Sequence, residues 1–344
     1  MPVIPNLIER WVLRRNRAPG VMLDLIAGTA FHSASLASNL GFFEHLAQGP
    51  KSASDLAELT GCNAEGVRRL LDFLATTKYI VRTGEHYSNS TLTDRWLIKS
   101  SPGNVVNFVD NWNSLLVETW AESLEHSVKS GTVKVHFQDW MSLKPGRWAK
   151  FTESMTSIAA KPAEEIAALV DLPSGARRLL DIGGNHGLYS AAFCRRYPQL
   201  TATIFDVPEA LDHEIADQNP QLVMRPGDIR TDDPGSDYDA TLISNLIHYF
   251  TPKECSALIK RAASALAPGG MMIVSDQSGN AKGSPLIDTF LKMMSLHYFI
   301  VTGSDVYSAN TVISWMEAAG CRHMKTIKLR TAPGQMLIIA QRES

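Results

Sequence analysis

The run Leu179-Leu180-Asp181-Ile182-Gly183-Gly184-Asn185-His186-Gly187 sets an acid, three glycines and an asparagine directly after apolar residues. Thr203-Ile204-Phe205-Asp206-Val207-Pro208 follows, a second apolar run that ends in an acid. Read as strand, turn, helix and strand, the two runs bring glycine backbone and a carboxylate to the carboxyl ends of adjacent strands. Ligands of open α/β sheets bind there. Glycine lets the backbone approach a ligand closely, and an acid in that register can accept hydrogen bonds from ribose hydroxyls. The chemistry indicated is recognition of a nucleoside-type cofactor; the plainer alternative is a structural turn.

Spacing narrows the cofactor. A dinucleotide fingerprint reads G-x-G-x-x-G, whereas here Gly183, Gly184 and Gly187 give D-x-G-G-x-x-G with Asp181 just ahead. An acid in that place suits a cationic amine better than a pyrophosphate. S-adenosylmethionine, with an amino-acid end and no phosphate, fits the turn. Asn185 tolerates the left-handed conformation that the loop needs. His248, just after the apolar run Ala240–Ser244, is the candidate base. A phenol of pKa near 10 is mostly protonated at neutral pH, and an imidazole of ordinary pKa about 6.5 is poised to take its proton.

The elements that must position these residues fall into three stretches: 1–100, 101–165 and 166–344. In the first, Ser52–Gly61 reads as a capped short helix closed by glycine. Asn63 caps a second helix, Ala64 to Thr77, with Val67, Leu70, Leu71 and Leu74 on one face. Lys78–Arg82 and His86–Asn89 flank Thr83-Gly84-Glu85 as a hairpin, and the set reads as a winged helix. Phe31, Leu36, Leu40, Phe42, Phe43 and Leu46 exceed what so small a domain can bury, which points to a partner subunit. The middle stretch is a tryptophan-rich helical connector contributing to the substrate pocket. One helix, Phe151 to Val170, leads into the third.

From there strands and helices alternate: Arg178–Ile182, Thr201–Asp206, Leu222–Pro226, Ala240–Ser244 and Met271–Ser275, then Lys325–Arg330 and Met336–Ala340. Ala267-Pro268-Gly269-Gly270 reads as a sharp turn before Met271. The alternation predicts a mainly parallel, Rossmann-like sheet with an antiparallel strand at the end.

The chain has 344 residues and a net charge of −2, so no general basic footprint for nucleic acid is present. The four cysteines are scattered, as free thiols in a reducing compartment would be. Acidic and polar residues interrupt every apolar stretch, so no membrane span is expected and the cytoplasm is the expected location.

Together these residues resemble the S-adenosylmethionine-dependent small-molecule O-methyltransferases of the plant caffeate and bacterial polyketide or aromatic type. The marks are Leu180–Gly187, Phe205–Pro208, Gly227-Asp228-Ile229, Leu246–Phe250 and Leu266–Gly270. The resemblance implies a class I methyltransferase sheet behind a winged-helix dimerisation domain. It implies a homodimer, S-adenosylmethionine as donor with S-adenosylhomocysteine as product, and no metal. It assigns Gly183, Gly184, Asn185 and Gly187 to the methionine moiety, Asp206 to the ribose, Asp228 and Ile229 to the adenine, and Ser244 to the cofactor carboxylate, with Val207 also among the cofactor-binding residues. His248 matches the catalytic histidine, and Asp276 the carboxylate that orients it. A second flanking carboxylate of the family falls at Val306 here, with Asp305 beside it.

Phe151 and Met155 match a helix that encloses cofactor and substrate, and serve core packing equally well. Met294, His297 and Tyr298 belong to the segment expected to line the acceptor pocket, with His297 a second candidate base. The expected reaction is methyl transfer to a hydroxyl of an aromatic or polyketide-like small molecule of secondary metabolism. Carbon or nitrogen methylation, or a non-methylating reaction on the same fold, remains open. So does a DNA-binding regulator that senses the cofactor, although Glu65 and Asp72 share the second helix with Arg68 and Arg69.

Overall fold

The computed structural model describes residues 6–211, 218–279 and 284–343. It divides into two units, Met1–Val117 and Glu118–Ser344. The border falls inside the expected connector, 101–165. Its first part belongs with the N-terminal unit and the remainder with the C-terminal one.

The N-terminal unit runs α1 (Leu7–Arg14), α2 (Val21–Asn39), α3 (Phe42–Ala47), β1 (Lys51–Ser52), α4 (Ala53–Thr60), α5 (Ala64–Thr76), β2 (Ile80–Thr83), β3 (His86–Asn89), α6 (Thr91–Trp96) and α7 (Val106–Leu115). Local chemistry sets the ends of α4. Ser52 and Asp55 form a reciprocal capping box, and Gly61 closes the helix in the left-handed conformation. Asn63 caps α5 by accepting from the Gly66 amide. β2 and β3 form the expected hairpin, extended by β1 into a three-stranded sheet. On α5, Arg68 pairs with Glu65 and Asp72, and Arg69 with Glu65.

Two expectations need correction here. Phe42, Phe43 and Leu46 are not surplus apolar surface, because they are buried in this unit's own core with Leu56, Leu71 and Leu74. Leu36 and Leu40 of the expected set are exposed, as are Leu7, Ile8 and Trp11 on α1 and Val21, Met22 and Leu25 on α2. The same helix overturns the view that no stretch could span a bilayer. By length and a mean hydropathy of 1.2, α2 alone among the described helices meets that criterion, which core helices also meet. Its Ala30, Ala34 and Ala37 are buried.

The C-terminal unit opens with a π-helical turn, Leu116–Trp120, that spans the border, then α8 (Ala121–Ser130), α9 (Phe137–Ser142) and α10 (Arg147–Leu169). β4 (Arg178–Ile182), α11 (Leu188–Arg196), β5 (Thr201–Asp206), β6 (Leu222–Pro226) and β7 (Tyr238–Ser244) follow. The chain continues through α12 (Pro252–Ala265), β8 (Leu266–Gln277), α13 (Pro285–Thr302), α14 (Ala309–Ala318), β9 (Cys321–Lys328) and β10 (Gln335–Arg342). One seven-stranded sheet results, in the order β6-β5-β4-β7-β8-β10-β9. It is parallel except for β10, which lies antiparallel between β8 and β9. Residues 266–270 are not a turn before the strand but its first residues. Leu266 pairs with Tyr238, and the register then shifts before Ala240 meets Met271.

Side chains alternate across the sheet. Leu179, Ala240, Leu242, Ile273 and Leu337 pack with Ala163 and Ile166 of α10 and Ala192 of α11. Leu180, Ile243, Val274 and Ile338 pack with Leu258 and Ile259 of α12 and Val312 and Met316 of α14. The sheet is therefore buried on both faces, and its carboxyl edge is where polar residues can gather. Leu242 is fully buried in central β7. Truncation of such a residue typically costs about 2–5 kcal/mol. Leu242→Ala should accordingly lower the urea midpoint without changing its slope, read by circular dichroism.

Candidate active site

The glycine turn after β4 has a steric reason for each glycine. At Gly183, with φ +71°, a Cβ would stand 2.6 Å from Cδ1 of Leu246. At Gly184 it would meet the Asp181 carboxylate at 2.7 Å. Gly187 starts α11 in the left-handed conformation. Asn185 occupies φ +43°, as its residue type allows. Its amide donates to Asp206 Oδ2 at 3.0 Å, and its Nδ2 donates to Thr152 Oγ1 and to the Ala210 carbonyl. The asparagine thus ties the turn to α10 and to the loop after β5.

Asp181 is buried, with Oδ2 accepting from Ser190 Oγ at 2.7 Å. Burial, aided by nearby Asp206, pushes its carboxyl up to about 7. Half-buried Asp206 also accepts from the Val207 amide at 2.8 Å. Loss of water around it outweighs its two amide donors and raises it to about 6. The Gly227 amide donates to the Asp206 carbonyl, so Asp228 and Ile229 stand beside this acid. Ile229 is buried. Asp228 is forked by the Arg230 guanidinium at 2.6–3.0 Å, which also reaches Gln138 of α9 at 2.8 Å. Ser244 is buried at the end of β7.

The second cluster begins at Ile247, three residues past β7. His248 is 4% exposed, and its Nδ1 lies 2.6 Å from Asp276 Oδ1. Asp276 is fixed in turn by the Ile247 amide (3.0 Å) and the Gln277 amide (2.7 Å). An ionised carboxylate only accepts, so Nδ1 carries the imidazole proton and Nε2 keeps the basic lone pair. The Tyr298 ring stacks on His248 at 4.2 Å and 19°, and Tyr249 leans on it at 4.5 Å. Burial holds both phenols above their ordinary value of 10, so both keep their protons. Phe137 stacks on Tyr249 at 5.0 Å, and Phe151 meets Phe137 edge-on at 5.4 Å.

Of the other expected pocket residues, Met294 and His297 are buried and Met155 is half-buried. His297 is corrected as a second base. Its Nδ1 accepts the Trp120 indole N–H at 3.0 Å. Burial and nearby His248 push it down to about 3, so it stays neutral at working pH. Asp305 does not flank His248 either. It is exposed and accepts from Ser295 Oγ and the Val306 amide. Thr152, Ser190, Tyr249 and Trp120 were not singled out from sequence. Ser190, in the first turn of the helix after the glycines, and Tyr249, next to the base, had the clearest signals.

Comparison with known proteins places this geometry. Residues 132–322 match the O-methyltransferase domain family model, and residues 24–99 match the O-methyltransferase dimerisation domain. The chain belongs to the O-methyltransferase family and is a methyltransferase whose donor is S-adenosylmethionine. It is 25% identical over 330 residues to 3-hydroxy-5-methyl-1-naphthoate 3-O-methyltransferase of Streptomyces sahachiroi, covering 94% of each chain. It is 27% identical to the tetracenomycin polyketide synthesis 8-O-methyl transferase of Streptomyces glaucescens, covering 90% of this chain and 93% of the other. The solved structure of mitomycin 7-O-methyltransferase superposes with a TM-score of 0.84 at 24% identity, covering 96% and 99% of the two chains.

The residues present fit that donor. Asp181 Oδ1, Asn185 Oδ1 and Ser244 Oγ are buried without partners around a turn whose glycines leave no side chain in the way. The raised acids give the fit a pH signature. Ribose hydroxyls and an ammonium both favour the charged carboxylates. The affinity for S-adenosylhomocysteine should therefore rise as pH climbs from 5 through 7, by no more than about tenfold per unit for each group. Asp206→Asn should remove its share. Titration calorimetry at pH 5.0, 6.0 and 7.5 checks this, and a flat profile would refute it. Stability of the unliganded protein runs the other way. Both acids sit above their unfolded value, so their contribution falls as pH rises from about 4 to 7.

Proposed function

We propose that this chain moves the methyl group of S-adenosylmethionine to a hydroxyl of an aromatic or polyketide-like small molecule, with His248 removing the hydroxyl proton. The observation that carries this reading is the buried His248–Asp276 pair, Nδ1 to Oδ1 at 2.6 Å. When bound, the donor supplies an electrophilic methyl group on a sulfonium, which a nucleophile attacks in line. Gly183, Gly184, Asn185, Gly187 and Asp181 hold its amino-acid end, Asp206 with Val207 its ribose, and Asp228 with Ile229 its adenine. Ser244 serves its carboxylate.

His248 Nε2 accepts the acceptor's proton, and Asp276 both fixes the tautomer and stabilises the imidazolium that forms. The Tyr298 face adds cation–π stabilisation to that charge. Phe151, Met155, Met294 and Tyr298 give the acceptor a flat apolar surround. The relatives act on naphthoate and polyketide acceptors by name, which agrees with an aromatic substrate here. The N-terminal domain pairs two copies into a homodimer. The four free thiols suit a reducing cytoplasm.

Removing a positioned general base typically costs about 10²–10⁴-fold in rate. His248→Ala should lose turnover in that range while S-adenosylhomocysteine binding stays within twofold of wild type. Asp276→Asn should lose a similar factor by releasing the tautomer. A methyl-transfer screen over hydroxylated naphthoates and polyketides, read by product mass, supplies the assay. Full turnover by His248→Ala would overturn the assignment. A product methylated on carbon or nitrogen would move the chain to the neighbouring chemistry.

A further inference from the structure

A second polar group lies on the opposite face of the sheet from Asp276. Ser244 and Ser275 are direct register partners across β7 and β8, and Gln277 and Gln335 across β8 and β10. All four share the face of Leu242, Ile273 and Leu337. They therefore form one patch at the carboxyl edge. Each amide nitrogen has engaged one of its two N–H donors. Gln277 Nε2 donates to the Tyr298 hydroxyl at 3.2 Å, and Gln335 Nε2 donates to Asn245 Oδ1 at 2.7 Å. Asn245 Nδ2 donates to the Tyr189 hydroxyl at 3.0 Å.

Both amide carbonyls, which can only accept, remain unpaired. Gln277 Oε1, Gln335 Oε1, Ser244 Oγ and Ser275 Oγ are buried with no partner. Such orphans are costly to leave unpaired. Two amide carbonyls, which only accept, beside the Ser275 hydroxyl, which can accept, suit a group rich in N–H donors. The local field favours positive charge, since Asp181 and Asp276 both act on the Tyr189 hydroxyl within the same network. Gln277 also touches Tyr298, the ring stacked on His248. The patch is thus one side chain away from the proposed base.

We propose that Gln277, Gln335 and Ser275 form an acceptor subsite for a protonated primary amine, so that the preferred substrate carries an amino group as well as the hydroxyl that is methylated. The inference rests on the methyl-transfer reading only for the identity of the occupant. Its test is therefore binding rather than turnover. With S-adenosylhomocysteine saturating, the ortho, meta and para hydroxybenzylamines are each titrated calorimetrically against the ethylphenol of matching shape.

At least one amine should bind ten times or more tightly than its apolar counterpart. Gln277→Met and Gln335→Met should each erase most of that gain while ethylphenol binding, the check on folding, stays unchanged. Gln277→Glu, which keeps the acceptor and adds charge, should enlarge it. No amine preference in any isomer, or one that survives both methionine substitutions, would overturn the proposal. So would a change confined to S-adenosylhomocysteine against its desamino analogue, because that would assign the patch to the donor.

Discussion

Asp276 is the residue on which the proposed chemistry depends. Its two oxygens accept from His248 Nδ1, from the Ile247 amide and from the Gln277 amide, in surroundings that leave it 4% exposed. A buried carboxylate needs hydrogen-bond partners, and here the same bonds that satisfy it also aim the imidazole. Breaking such a pair by removing one partner typically costs about 3–5 kcal/mol, since the other group is left buried and unmatched. The bond that orients the base therefore also holds the end of β8 against the turn after β7.

The rest of the unit supplies that juxtaposition. β7 and β8 are neighbours in register, Ser244 opposite Ser275, so the residues just past each strand meet. Leu246 then fills the space that a side chain at Gly183 would need. The glycine turn after β4 and the turn that carries His248 are in this way fitted to one another, and a change at either is felt at both. Aromatic packing adds a second constraint. Tyr298 from α13, Tyr249 beside the base and Phe137 from α9 stack in sequence around His248. Three elements far apart in the chain thus fix one ring.

Much of this was legible in the sequence because it rests on local rules. The capping box at Ser52, the Asn63 cap and the strands at 178–182, 201–206 and 222–226 follow from side-chain chemistry within a few residues. The placement of His248 and Asp276 just past strand ends could be read from the strand pattern, and the structure pairs the two. What escaped was long-range. The Trp120 bond that makes His297 a poor base joins residues 177 apart in the chain. The Thr152 anchor of Asn185 crosses from α10 to the turn after β4. The exposure of Asp305 depends on how α13 ends, and the burial of Phe42 and Phe43 on packing against α4 and α5. No spacing rule carries such information.

The most direct test of the central claim is the position of one proton. ¹⁵N NMR of the His248 imidazole, assigned by comparison with His248→Ala, reports which ring nitrogen is protonated in the neutral form. The account predicts the proton on Nδ1, held by Asp276, with Nε2 showing the shift of a free lone pair. Asp276→Asn should scramble that preference. A neutral wild-type ring protonated on Nε2 would contradict the account, because the nitrogen meant to take the acceptor's proton would already be carrying one.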